Sequence, residues 1–183
     1  MAKMLFELGR AHRRFLGLAG PWTTDLEDSA MPIEQVVLGA QLTAFFQAQL
    51  YLPGTFRSGP IFGHRDDGTL HAVFGAPAGY LKWSDYDPER PLQLDASYVL
   101  GWADALQVVS ASPVDWVGTW LSFPDTRVPT PEQAAPLIRQ ASDDLLSDYN
   151  TALLIIGWNR HELEVQGYSA FDRTLQSLSI KST

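Results

Sequence analysis

The sequence predicts one α/β domain led by a separate amphipathic helix, and three observations carry that expectation. A chain of 183 residues matches the ~100–200 residues of a single domain and is long enough to bury most of its apolar surface. With 45% hydrophobic and 19% charged residues it lies far from the compositions that stay disordered, so it should fold alone. The apolar spacing changes along the chain from a helical period of three to four to a strand period of two.

The opening segment places Met4, Leu5, Leu8, Phe15 and Leu16 on one helical stripe, with Lys3, Arg10, His12, Arg13 and Arg14 mostly opposite. Gly17, Gly20 and Pro21 end it, so residues 1–30 read as a helix and tether and residues 31–183 as the domain. From Pro32 to Leu50, Val36, Val37, Ala40, Phe45 and Leu50 suggest a second helix, with Pro32 in its first turn. The runs Pro60–His64 and Leu70–Phe74 flank Asp66-Asp67-Gly68, a hairpin pattern in which glycine tolerates positive φ.

Residues 77–94, rich in Pro, Tyr, Trp and Asp, read as a long surface excursion. Asp95 then caps a helix through Val109, on which Val99, Trp102, Ala103 and Leu106 recur at three and four. Val114–Leu121 has strand composition, and Pro124–Pro129 reads as a loop. Leu137, Ile138, Ala141, Leu145 and Leu146 mark a further helix, Thr151–Ile156 a buried strand, and Leu163–Tyr168 an alternating strand after a turn at Asn159-Arg160-His161.

A net charge of −8 argues against nucleic acid, because phosphates demand a basic face; the basic N-terminal segment is the exception on an acidic body. The absence of cysteine excludes disulfides, thiolate catalysis and thiolate zinc sites. Glu7, Arg10, Arg13 and Arg14 interrupt any secretory apolar stretch, and no run of ~18 apolar residues exists to span a membrane. The expected location is the cytoplasm.

Three phrases resemble the JAB/MPN domain family of zinc isopeptidases and inactive scaffold subunits. They are Phe56-Arg-Ser-Gly-Pro-Ile-Phe-Gly63, similar to E-T-G-G-I-L-L-G; Tyr98-Val-Leu-Gly-Trp-Ala103; and Val117-Gly-Thr-Trp-Leu-Ser-Phe-Pro-Asp125, similar to V-G-x-x-H-S-H-P-D. The resemblance spans roughly residues 32–170. It implies a JAB/MPN-like (cytidine-deaminase-like) mixed β-sheet flanked by helices.

It also implies a degenerate site. Leu121 and Phe123 stand where the family places its two zinc-binding histidines at a strand end, around Ser122. Thr130 and Gln133 replace S-x-x-D, and Phe56 replaces the glutamate that activates metal-bound water. The expectation is therefore a catalytically inactive module needing no cofactor, which acts as a scaffold through protein–protein contact with another protein or a second copy of itself. A ubiquitin-like partner is the weaker extension of the same resemblance. Trp120, Leu121 and Phe123 would line an apolar groove, and Leu5, Phe6 and Leu8 on the N-terminal helix would carry an interface. The alternative is a metal-dependent, isopeptidase-like hydrolase with a non-standard site, for which His64 and His71 on the two hairpin arms are the candidate ligands. Trp83, Tyr86, Trp116 and Trp158 complete the aromatic set, with core the commoner fate for such side chains.

Overall fold

A computed structural model describes residues 9–17, 31–79, 90–110, 113–144, 150–171 and 174–183. Their elements run α1 (Arg10–Phe15), β1 (Gln35–Leu38), α2 (Ala40–Leu50), β2 (Arg57–Asp66), β3 (Thr69–Gly75), α3 (Ala96–Val109), β4 (Asp115–Arg127), α4 (Pro131–Asp143), β5 (Ala152–Asn159), β6 (Glu162–Phe171) and β7 (Thr174–Ser182). The strands close into a barrel in the order β1-β3-β2-β4-β5-β6-β7, with β7 returning to β1. β1 runs parallel to both β3 and β7, and β4 parallel to β5; the remaining neighbours are antiparallel.

The unbroken apolar run of β5 shows how the layers form. Successive strand residues point to opposite faces, and both faces of β5 are buried. Ala152, Leu154 and Ile156 join an inner core that draws on every strand, including Val36, Ile61, Leu70, Trp120, Val165 and Leu178. Leu42, Phe46 and Leu50, spaced four apart on α2, fill this inner core. Leu153 and Ile155 face the other way, into an outer core shared with Ala11 of α1, Val99 and Ala103 of α3, and Ile138 of α4.

This closed mixed barrel overturns the expected JAB/MPN-like mixed β-sheet flanked by helices. Two strands account for the difference. Val36 and Leu38 point inward at strand period, and Gly39, extended at φ −70° and ψ 150°, separates them from a helix that starts only at Ala40. The Val36-Val37 pair fits either period, which is why the segment reads as continuous helix. β7 escaped assignment because its inward residues, Leu178 and Ile180, sit among serines. Once β1 and β7 pair, from Gln35 opposite Ser179 to Leu38 opposite Ser182, no sheet edge remains.

Other departures are local. β4 continues to Arg127, through residues expected to form a loop. In the β2–β3 turn Asp67, not Gly68, takes the left-handed conformation, with φ 48°. Asp95 caps α3 as expected, its side chain accepting from the Tyr98 amide at 3.1 Å. Among the described residues no helix is long and apolar enough to cross a membrane.

Candidate functional site

The β4 residues marked out by the JAB/MPN resemblance lie in the body of the fold, whereas Thr130 and Gln133 are exposed at the start of α4. Leu121 and Phe123 sit in mid-strand, since β4 continues past them. Trp120 and Leu121 are fully buried, Trp120 in the inner core and Leu121 in the outer. The Trp120 indole donates to the Ala76 carbonyl at 2.8 Å, and Phe45 meets its ring edge-on at 5.5 Å. Ser122 is 1% exposed, with a hydroxyl closed off from any substrate. Phe56 and Phe123, half-buried, pack on each other edge-to-face at 5.1 Å. The groove expected around Trp120, Leu121 and Phe123 is thus filled by its own side chains.

Gln133 has a structural role. Its amide oxygen accepts from the Thr130 backbone at 2.9 Å while the Thr130 hydroxyl accepts from the Gln133 amide at 3.4 Å, a capping box that starts α4. Beside it, backbone and Thr130 hydrogen bonds hold the exposed Glu132 carboxyl below its usual range. The T-x-x-Q spacing at a helix start was the signal for this role.

Leu5, Phe6 and Leu8 lie outside the described residues, as do Trp83 and Tyr86. The following turn, α1, packs within the chain: Ala11 is fully buried, and His12 Nε2 lies 2.9 Å from the Asp104 carboxylate. His64 and His71 do meet, opposite each other on β2 and β3, but as parallel rings 4.8 Å apart and 6° from coplanar orientation. An imidazole lone pair lies in its ring plane, so two stacked rings cannot converge on one ion at ~2.0 Å. Among the described residues no group of three His, Asp or Glu side chains could hold a metal.

The surface with the composition of a binding site lies at the barrel mouth where β5 turns into β6. Trp158 follows Ile156 on the inner face and packs as a half-buried lid on the inner core. Tyr51, at the C-terminal end of α2, lies 5.6 Å from Trp158 and is 74% exposed; Leu52 beside it is 50% exposed. Arg127 pairs with Trp158 across the ladder, and Arg160 and His161 form the turn. All three are exposed. They border a cavity of about 590 Å³ with Val128, Asn159 and Glu164.

Two structural features fix this mouth. Gly157 packs so tightly that a Cβ there would stand 2.3 Å from the Val128 nitrogen and 2.4 Å from the Arg127 carbonyl carbon, so only glycine lets β5 approach β4. Arg160 and His161 both hold positive φ, 50° and 76°, in a turn class that favours Asn-Gly. The carboxylate of Glu164 is occupied by Asn159 at 2.6 Å and Gln166 at 3.3 Å. Neither the Arg127 nor the Arg160 guanidinium has a hydrogen-bond or ion-pair partner among the described residues. Sequence reasoning left Tyr51, Arg127 and Arg160 aside because they converge only when α2, β4 and β5 do. The one available signal was two bulky residues in a two-residue turn between strands.

No protein-family model matches this chain, and no curated protein does. Among solved structures it is similar to a protein from Desulfitobacterium hafniense, determined in solution as a structural genomics target, with a TM-score of 0.58 and 16% identity over 81% of this chain and 93% of that one. At that identity the likeness establishes a shared fold and carries no activity across.

Proposed function

We propose that this chain is a binding module that docks an acidic segment of a partner protein on its barrel mouth. The observation that carries the reading is the Tyr51–Trp158 pair, an exposed tyrosine packed on a half-buried tryptophan, beside two arginines without counter-ions among the described residues. Trp, Tyr and Arg are the side chains that dominate protein–protein hot spots, because each combines large apolar area with a directed polar group. Arg127, Arg160 and His161 around those rings select acidic character. A turn held at positive φ by Arg and His, where Asn-Gly would relax it, fits residues kept for contact at a cost in stability.

A photo-crosslinking residue placed at Tyr51, with Val108 on α3 as an 80% exposed control, tests this in cells. A discrete adduct from Tyr51 alone is expected, with the crosslinked peptide rich in Asp and Glu. An adduct at twice the chain mass identifies a second copy as the partner. No adduct from Tyr51, or the same adducts from Val108, contradicts the proposal.

A further inference from the structure

At the opposite end of β4 a second cavity, about 540 Å³, lies between α1, the end of β2 and the start of β4. Among the described residues its charged lining comprises Arg10, Arg13 and Arg65 with one carboxylate, Asp115, a basic pocket on a chain of net charge −8. Asp115 is already engaged: its oxygens accept the backbone amides of Arg10, Ala11 and Trp116. Arg65 is braced, with Nε on the Asp67 carbonyl at 2.6 Å and Nη1 on the Asn150 side chain.

Two donors on residues of this lining have no acceptor among the described residues. Arg10 Nη1 is buried with no partner among the described residues, and so is the indole Nε1 of Trp116, a residue 0% exposed. Neither group can accept a hydrogen bond, so the missing partner must be an acceptor. Guanidinium groups favour planar or tetrahedral oxyanions, which take two donors at once. The volume lies within the ~300–1,000 Å³ of small-molecule sites, and Pro113 and Val114 supply apolar wall.

We propose that this cavity binds a small organic oxyanion, a carboxylate or phosphate accepting from Arg10 Nη1 and Trp116 Nε1 while its apolar body lies along Pro113 and Val114. The site is independent of the barrel mouth. β4 is 13 residues long, which at ~3.3 Å per residue sets the two ends roughly 40 Å apart.

Calorimetric titration of the full chain with phenyl phosphate, benzoate, neutral benzamide and inorganic phosphate tests it. One-to-one binding of phenyl phosphate or benzoate is expected, with the tighter of the two naming the anion, none for benzamide, and at least tenfold weaker binding for inorganic phosphate. Arg10→Met should weaken the anion at least tenfold, as should Trp116→Phe, which keeps an aromatic ring and deletes the donor. Arg139→Met on α4, outside the cavity, should leave it unchanged. Thermal unfolding of each unliganded variant checks that it is folded, and if Trp116→Phe is not, Arg10→Met decides. Equal binding of benzamide, no saturable binding of either anion, or undiminished affinity in folded Arg10→Met would overturn the proposal.

Discussion

At the Asp115 end of β4 polar donors are buried without acceptors among the described residues; at the Arg127 end Tyr51 is exposed against the half-buried ring of Trp158. One strand thus connects two unmet demands of opposite kind. Between them, Trp120 and Leu121 are satisfied on both faces, Trp120 through its hydrogen bond to Ala76 and Leu121 through the outer core. The contrast teaches that closing the barrel completes the middle of β4 and leaves chemistry to its ends. A recessed end with fixed donors suits a small ligand, and an open end with rings and loose cations suits a protein.

Four variants separate the ends, and the largest effect is expected from Gly157→Ala. The added methyl meets backbone of Arg127 and Val128, which cannot yield as a side chain would, so urea unfolding should show a loss of about 3 kcal/mol. Crosslinking at the mouth should fail while phenyl phosphate affinity at the far end persists. Asp115→Ala should cost about 2 kcal/mol by stranding three backbone donors, free α1 to proteolysis and lower anion affinity, yet leave the mouth crosslink intact.

The double change Arg160→Asn with His161→Gly should act in the other direction. Relief of two left-handed residues predicts a gain of about 1–2 kcal/mol together with loss of the mouth crosslink. Unchanged stability would show the turn to be relaxed and remove the argument from strain. The smallest effect concerns Tyr168, whose hydroxyl donates to Gln166 at 3.1 Å, on the side-chain ladder that Glu164 begins at the mouth. Burial first, then the Glu164 charge, raises its pKa. A phenol raised in the folded state contributes stability that is full below tyrosine's ordinary value of ~10 and is lost as pH rises through the higher folded value. Solvent screening keeps this loss small, and Tyr168→Phe should flatten it in unfolding curves recorded between pH 9 and 11.

Much of the local structure was legible because it rests on short-range rules. The Asp95 cap, the helix on Val99, Ala103 and Leu106, the β2–β3 hairpin and the buried run of β5 all follow from spacing. The fold class was not legible, because it hangs on Gln35–Leu38 and Thr174–Ser182, two strands whose pairing joins residues ~140 positions apart and whose patterns are weak alone. The resemblance at Val117–Asp125 misled for a related reason. Gly118 is demanded by contact with Ala152, where a Cβ would lie 2.2 Å from the carbonyl oxygen, and Thr130 with Gln133 by helix capping. Local packing thus accounts for residues that read as a worn catalytic motif. Of the sites, the basic N-terminal segment was noticed, and two of its arginines, Arg10 and Arg13, line the cavity. The mouth was missed because exposure is a property of the closed barrel.

Charge reversal at the mouth is the most direct test of a protein-binding role. With the crosslinker at Tyr51, Arg127→Glu combined with Arg160→Glu should abolish the adduct while the thermal midpoint stays within a few degrees, since both side chains are exposed and unpaired among the described residues. An adduct that persists undiminished in the folded double variant would contradict docking of an acidic partner on this surface.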